Sequence, residues 1–575
     1  MAASAQLLRH AGALAARQRA CWPWPWPRSS TSSFPSVGSA AAGAAAAHAS
    51  QAAMALTQCF SSAAPRPGAV SAVGGSSSTC GGPGSGSSGL PPSAASARAF
   101  RSSASAAGSS SNNRIPLATD WLGSSNGDRG GSSNGSSSSA RATPKARGFR
   151  MPGEWEPHAG TWMAFPHDRH LWRAAARPAQ QQLAAVARAV SQFEQVWLLV
   201  DPQVRAEVRA ALRGASGVEL VEMRTNDVWT RDWGPTGLVR DVPGGGGGGR
   251  RRREVGALHF DYNCYGAPLK PHPLMPDWSL DRAAGRALPA LAGLRAEHVW
   301  AAPAGLHLEG GAVLSDGEGT LLVTEECLLH PSRDLPPAGW RRWQQQPQQP
   351  DAGAMRLDAA VEGVAAQREA VRRLEREERK AAIGGLLCEY LGADKVLWLP
   401  HGMAGDEEGT NGHVDNVAAF AEPGVVLLAW CDSPDQDPDQ TRLAAENLAA
   451  LADQTDARGR KLRVVPVPCP LPVLKVSDEE AGGAAAAAAA AAAGYGKVAA
   501  GARLPASYIN HYIVNGGVVV PLFGGEQRRS DDAALEVLTA AYAPSGRRVV
   551  GVDSREVLLG GGNVHCITQQ LPAAE

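Results

Sequence analysis

Near the carboxy-terminus of this 575-residue chain, Leu558-Leu559 run into Gly560-Gly561-Gly562 and then Asn563-Val564-His565-Cys566. The apolar pair reads as the end of a strand, and the glycines as a turn that lets a ligand approach the main chain. A thiol there is expected to be exposed, where a nucleophile must sit. The competing reading is a buried structural cysteine, the commoner state of a free thiol. Upstream, four polar corners join ionisable residues to glycine or proline: Pro157 to Trp162, Trp229 to Pro235, His307 to Gly311 and Thr410 to Asn416. They supply Asp232, Glu309, His413 and Asp415.

Carboxylates among apolar and aromatic residues are costly without a partner. The partner that suits several acids and one thiol is a cation. A guanidinium offers donors in a fixed fork that carboxylates match in bidentate fashion. Asp232 and Asp415 would clamp its edges and turn the central carbon towards Cys566, whose thiolate would form a tetrahedral adduct and then an amidino-thioether. His413, on the same face as Asp415 if the segment is extended, would protonate the departing ammonia and then activate water. Glu309 would orient His413 or share the guanidinium contact. A bound cation would itself favour thiolate over thiol.

Each residue also has a plain structural reading. Glu309 could cap the Gly310-Gly311 turn, Asp232 could pair with Arg231, His413 could be a core histidine, and Asp415-Asn416 a turn. A thiol hydrolase acting on acyl groups would use three of the five residues. The surplus acids favour a cationic substrate.

The elements that must position these residues are short apolar runs with polar, glycine-bearing corners. Val196 to Val200 and Val425 to Trp430 read as strands. Ala312 to Leu314 and Thr320 to Val323 read as a hairpin about Asp316-Gly317-Glu318-Gly319. Tyr508 to Pro521 reads as two strands split at Asn515-Gly516-Gly517, and Ala179 to Phe193 and Ala534 to Tyr542 as helices. Five strand-and-helix modules open near Trp155, Val228, His307, His413 and Tyr508, which suggests a radial α/β arrangement. Periodicity alone does not separate it from an open α/β sheet.

Composition divides the chain into a leader, 1–149, and a catalytic domain, 150–575. No acid precedes Asp120, and the leader is rich in Ala, Ser and Gly with scattered arginines. That pattern reads as a transit peptide followed by a disordered linker, with the chloroplast favoured over the mitochondrion. Insertions are expected near 243–254 (Gly then Arg), 334–380 (Gln/Pro-rich, then a charged helix over Leu357 to Lys380 suited to i,i+4 pairing) and 476–500 (polyalanine), all as surface elaborations. Lys plus Arg balance Asp plus Glu at 55 each, which argues against a nucleic-acid surface. No run reaches the roughly 18 apolar residues of a membrane span. The nine cysteines contain no C-x-x-C pair and suit a reducing compartment.

The motifs W-T-R-D-W-G-P, L-E-G-G, T-N-G-H-V-D-N and G-G-G-N-V-H-C-I-T-Q-Q, with the run Met151 to Pro166, together resemble the agmatine deiminase family of guanidine-modifying enzymes. The resemblance covers roughly Arg150 to Pro572. It implies a five-fold pseudo-symmetric α/β propeller (pentein) and hydrolysis of agmatine to N-carbamoylputrescine and ammonia without metal or organic cofactor. A homo-oligomer is plausible on the same ground. Carried over position by position, Cys566 is the nucleophile, His413 the acid/base, Asp232 and Asp415 the guanidinium carboxylates, Glu309 the catalytic glutamate, and Trp229 an aromatic beside the substrate channel. The family usually carries an acid directly before T-N-G-H. Gly409 stands there instead, so either Glu408 moves in to contact substrate or the amine end is recognised differently. The remaining readings are a deiminase of free or peptidyl arginine, and a non-catalytic propeller that only binds.

Overall fold

Each β-rich run of the sequence folds into one repeated unit. The computed structural model describes residues 142–243, 251–269, 274–303, 306–333, 361–482 and 499–574; most of the leader and the centres of the three insertions lie outside them. The first unit runs β1 (His158–Ala164), α1 (Arg177–Val190), β2 (Val196–Val200) and β3 (Val218–Glu222). The second comprises β4 (Thr236–Pro243), β5 (Arg251–His259), α2 (Ser279–Leu291) and β6 (Val299–Ala301). Next come β7 (Leu314–Ser315), β8 (Thr320–Thr324), α3 (Val361–Leu391) and β9 (Lys395–Leu399). The fourth unit is β10 (Ala418–Glu422), β11 (Val425–Trp430), α4 (Pro438–Leu451) and β12 (Arg463–Pro468). The fifth is β13 (Tyr512–Val514), β14 (Gly517–Leu522), α5 (Arg528–Tyr542) and β15 (Arg548–Asp553), and β16 (Gln569–Pro572) ends the chain.

In every unit the helix carries the chain to a parallel neighbour, as parallel pairing demands: β1 with β2, β5 with β6, β8 with β9, β11 with β12 and β14 with β15. On the other flank of β5, β8, β11 and β14 lies an antiparallel strand, β4, β7, β10 or β13. Among the described residues, no such strand stands ahead of β1 in the first unit. β16 supplies it from the far end of the chain, with Gln569 opposite Trp162. The order β16-β1-β2-β3 is therefore a closure, and five sheets form the α/β propeller of the pentein type.

Local sequence explains the pieces. α1 has a proline in its first turn and buries Leu183, Val186, Ala187 and Val190 along one stripe. α4 begins at Asp437, whose carboxylate accepts the Gln440 N–H at 3.1 Å. β11 is wholly apolar and β8, with a threonine at each end, is buried throughout, because their sheets are covered on both faces. At Gly392 φ is +63°, and a Cβ would lie 2.0 Å from the Phe149 carbonyl, so the segment leading into β1 packs tightly under α3.

Several expectations are corrected. Leu558-Leu559 end a short helix, Arg555–Leu559, and not a strand; Leu558 is buried in the core while Gly560 lies against the Trp172 ring. The basic residues Arg251 to Arg253 are not loop: they pair with Asp241 to Pro243 in the β4–β5 ladder, and Arg253 forms ion pairs with Asp241 and Glu156. The charged stretch before Lys380 is not a separate elaboration. It leads into Ile383, Leu387 and Leu391, which sit in the core, so α3 is the crossover helix of its unit. Among the described residues no helix is long and apolar enough to cross a membrane.

Candidate active site

The strands β4, β7, β10, β13 and β16 each receive the chain through a short turn, and each turn delivers polar side chains to one place. Asp232 lies in the helical turn Thr230–Trp233 ahead of β4. Glu309 opens the turn Gly310–Ala312 ahead of β7. His413 opens, and Asp415 lies within, the turn Val414–Asn416 ahead of β10. Asn510 precedes β13 and Cys566 precedes β16. The repeat of the fold is what gathers residues so distant in sequence.

The gathering point is Gly311. A Cβ there would lie 2.6 Å from His413 Nδ1, 2.8 Å from Asp415 Oδ2 and 3.0 Å from Asp232 Oδ1. The Gly311 N–H donates to Asp232 Oδ1 at 3.1 Å, and the Tyr265 hydroxyl donates to Asp232 Oδ2 at 2.8 Å. His413 Nε2 lies 3.3 Å from Glu309 Oε2, and its Nδ1 3.8 Å from Asp232 Oδ1. Cys566 Sγ lies 3.6 Å from Asp415 Oδ2 and 3.2 Å from Asn510 Nδ2. Cys566, His413, Glu309, Asp232 and Asp415 are all buried, so the expected exposed thiol is instead a buried one among carboxylates. His413 and Asp415 meet across a helical turn, not along an extended face.

Asp415-Asn416 do form a turn and His413 is buried in the core, but the other two structural readings do not hold. Asp232 does not pair with Arg231, whose Nη1 donates to Gln570 Oε1 at 2.7 Å and whose Nη2 lies 3.6 Å from Glu154. Glu309 makes no capping bond to the turn it opens. Glu309 Oε1, His413 Nδ1 and Asp415 Oδ1 are buried and make no hydrogen bond to another described residue.

Charge follows from this packing. Burial disfavours the imidazolium of His413, but Asp232 and Glu309 outweigh it and raise the group to about 9. Burial raises Asp232 to about 6, aided by Asp415 and Glu309 against the pull of His413. Burial would also raise Glu309, yet Arg333 and His413 hold it at about 2. Asp415 stays below its ordinary range, because His565 overcomes the effect of burial. Burial pushes the Cys566 thiol well up, and Asp415 and Asp232 add to it. The thiol is thus held protonated until a cation enters.

Four further residues build the site beyond those the sequence singles out. Arg333 is buried and bonds Glu309 Oε2 at 3.0 Å and the Thr410 carbonyl at 2.8 Å, fixing both to one guanidinium. Tyr265 sits with φ +57°, a region unfavourable to a bulky residue, and its ring meets His413 edge-on at 5.9 Å. Asn510 accepts the His565 N–H at 3.1 Å. His565 stands beside the cysteine, and its Nδ1 bonds the same Asp415 oxygen that lies 3.6 Å from the sulfur. Only the repeat offers a clue, since Asn510 occupies the place before β13 that acids and the thiol occupy before the other inner strands.

Trp229 is buried beside the thiol: a Cβ at Gly562 would lie 2.6 Å from its ring and 3.1 Å from Cys566 Sγ. Glu408 is exposed, and the buried acid of that loop is Asp406, which accepts the N–H groups of Thr410 at 2.9 Å and Gly412 at 3.1 Å. The structure therefore does not bring Glu408 into the cluster. Glu309, Cys327 and His413 have ligand atoms within 4.8 Å of one another. Arg333 already neutralises Glu309, and burial pushes the Cys327 thiol to about 12, so this trio is a poor ligand set for a metal cation.

Gly311 gives a direct test of the geometry. Its φ is negative, so alanine fits the backbone, but the methyl would occupy the point where the polar atoms converge. Gly311→Ala is expected to fold and to lose at least ~100-fold in turnover. Wild-type turnover in a variant with an unchanged melting curve would show that the substrate does not use this space.

The five-sheet ring and its thiol, imidazole and carboxylates define a guanidine-modifying enzyme of the pentein class. Comparison with known proteins places it further. The profile of the family described as Porphyromonas-type peptidyl-arginine deiminase matches residues 150–347 and 351–572. The agmatine deiminases of Stutzerimonas stutzeri and Ectopseudomonas mendocina are 37% and 36% identical over 433 residues, each match covering 75% of this chain and 98% of the relative. The solved agmatine deiminase of Enterococcus faecalis aligns with a TM-score of 0.57 at 30% identity, over 75% of this chain and 98% of that one. The chain belongs to the agmatine deiminase family.

Proposed function

We propose that the protein hydrolyses agmatine to N-carbamoylputrescine and ammonia. The observation that carries this is the buried cluster of carboxylates and imidazole. His413 Nδ1, Asp415 Oδ2 and Asp232 Oδ1 converge on the Gly311 position, and Glu309 Oε1, Asp415 Oδ1 and His413 Nδ1 have no hydrogen-bond partner among the described residues, surroundings that suit a donor-rich, cationic group. The cluster also argues for a substrate without a carboxylate. Arg231 and Arg333, the arginines beside the site, are committed to Gln570 and Glu154 and to Glu309 and Thr410. Of these two, Arg231 keeps Nη2 without a hydrogen bond, but Glu154 at 3.6 Å already offsets its charge, so a free arginine's carboxylate would meet no uncompensated arginine among the described residues of the cluster.

The steps follow from the positions. Entry of the guanidinium between Asp232 and Asp415 lowers the cost of a thiolate at Cys566, and the thiol proton is released to solvent as the cation binds. The thiolate attacks the central carbon, and His413 passes its proton to one amino group, which leaves as ammonia. The amidino-thioether remains on Cys566. Neutral His413 then takes a proton from water as the hydroxide adds to the same carbon. Collapse of that adduct breaks the carbon–sulfur bond, forms the urea carbonyl and returns the sulfur as thiolate. Glu309, fixed by Arg333, keeps Nε2 of His413 engaged, so that Nδ1 faces the reacting groups.

Ammonia release from agmatine, arginine and an arginyl peptide, assayed side by side, tests the reading. Agmatine is expected to exceed the others by at least ~100-fold in kcat/KM, since an unpaired buried charge costs several kcal/mol. Comparable turnover of arginine would overturn the substrate assignment. The leader, acid-free as far as Thr119 and ahead of the family match at 150, supports a transit segment directed to the chloroplast. A fluorescent fusion of residues 1–149 that stayed in the cytosol would contradict that.

A further inference from the structure

His565 has no part in the steps above, yet its surroundings are as closely built as those of the thiol. Its Nδ1 lies 2.8 Å from Asp415 Oδ2, and its Nε2 2.8 Å from Glu154 Oε2. Each ring nitrogen thus faces a carboxylate, an arrangement that both can satisfy only if both carry protons. Glu154 comes from the segment ahead of β1 and is pinned there by accepting the Ile513 N–H at 2.8 Å. His565 itself is fixed by the Asn510 side chain on its backbone N–H at 3.1 Å. Behind the pair is a cavity of about 30 Å³ at the centre of the ring, lined by Glu154, His565, Arg231, Asp415 and residues of β7, β10, β13 and β16. That is room for a water or two. The network bonds the Asp415 oxygen, Oδ2, that lies nearest both Gly311 and the Cys566 sulfur.

We infer that Glu154 and His565 form a positioning dyad, in which a doubly bonded imidazolium holds Asp415 ionised and fixes its carboxylate in place to meet the guanidinium. The inference rests on the function proposed above. Asp415 stands in a buried cluster with Asp232 and Glu309, where one carboxylate would otherwise take up a proton. Oδ2 is bonded by His565 and is also the oxygen nearest Gly311 and Cys566 Sγ, while Oδ1 has no hydrogen-bond partner among the described residues, so His565 fixes the carboxylate at the edge of the cluster. Glu154 is held down at about 2, since His565 and Arg231 outweigh its burial. The groups facing His565 are Asp415, Glu154, Arg231, Cys566, His511 and Tyr512. Of these, Asp415 is the one whose proton uptake would unmake the clamp.

The test compares wild type with His565→Asn and Glu154→Gln. Asparagine keeps a donor for Asp415 but removes the positive charge, and glutamine keeps the volume and an acceptor. Both variants are read by agmatine turnover across pH, by thermal melting, and by alkylation of Cys566 with cationic chloroacetamidine against neutral iodoacetamide. His565→Asn is expected to lose roughly 10- to 100-fold in kcat/KM, the worth of a charge-assisted hydrogen bond. Its acid limb should move to higher pH, because Asp415 loses the partner that keeps its carboxyl low. The preference for chloroacetamidine should fall by a similar factor, while iodoacetamide labelling changes little. Glu154→Gln should show the same shifts, smaller. A merely structural role would alter melting and leave the limb and the alkylation ratio in place. If both variants kept the wild-type acid limb and alkylation ratio within about twofold, the dyad would be overturned; should His565→Asn not fold, Glu154→Gln alone decides. A wild type that ignored agmatine but still preferred chloroacetamidine would sink the substrate assignment, and the alkylation ratios would then settle the dyad independently.

Discussion

Cys566→Ser is expected to abolish turnover, by about 10⁴-fold or more, while leaving melting temperature and secondary structure unchanged. Serine fits the same space between Asp415 Oδ2 and Asn510, so the fold loses almost nothing. The chemistry loses its nucleophile. A buried hydroxyl beside Asp415 and Asp232 cannot ionise near neutral pH, whereas the entering cation stabilises a thiolate and lets the thiol release its proton to solvent. Binding should survive, because the carboxylates that hold the guanidinium are untouched. A fall in activity that came with a collapse of the fold would assign Cys566 a structural role instead.

His413→Gln should cost about 10²- to 10⁴-fold in kcat, the range of a positioned acid and base. It is also expected to remove about 3–5 kcal/mol of stability, since a buried cation between Asp232 and Glu309 is lost while its acids remain. Wild-type kcat/KM should follow a bell. His413 must carry a proton for the departing ammonia, and its raised value means that proton is lost as pH climbs past about 9. Asp232 must be ionised to hold the cation, and its raised value means the carboxylate is lost as pH drops below about 6. The two groups interact, so the limbs report the pair. In His413→Gln the alkaline limb should disappear, and the acid limb should move up because Asp232 no longer faces a cation. An unchanged alkaline limb would remove His413 from the proton transfer.

How much of this was legible beforehand depended on what chain neighbours could reveal. Runs such as Val196–Val200 and Val425–Trp430 declared themselves because an apolar strand between turn residues has few alternatives. The five modules were visible as a repeat, but their closure was not. Nothing local says that Gln569–Pro572 pairs with a strand about four hundred residues upstream. The acids and the thiol were readable because glycine-flanked carboxylates and a late cysteine are unusual in company. Their partners were not: Arg333 emerges at the edge of the Gln/Pro-rich insertion, and Tyr265 occupies a backbone conformation that sequence does not forecast for a tyrosine. Burial of Cys566 was misjudged for the same reason. The glycines did leave space, but the Trp229 ring fills it. The charged stretch before Lys380 hid the apolar stripe that follows, and so the crossover helix α3 was read as an addition to the fold.

The central claim is that Cys566 becomes covalently joined to the guanidine carbon. Rapid acid quench of the wild-type protein with agmatine, followed by peptide mass analysis, tests it most directly. The Cys566 peptide should gain the mass of agmatine less ammonia, and the gain should be absent in Cys566→Ser. A wild-type enzyme that released ammonia with no such adduct at any quench time, or a serine variant that still turned over agmatine, would contradict the account.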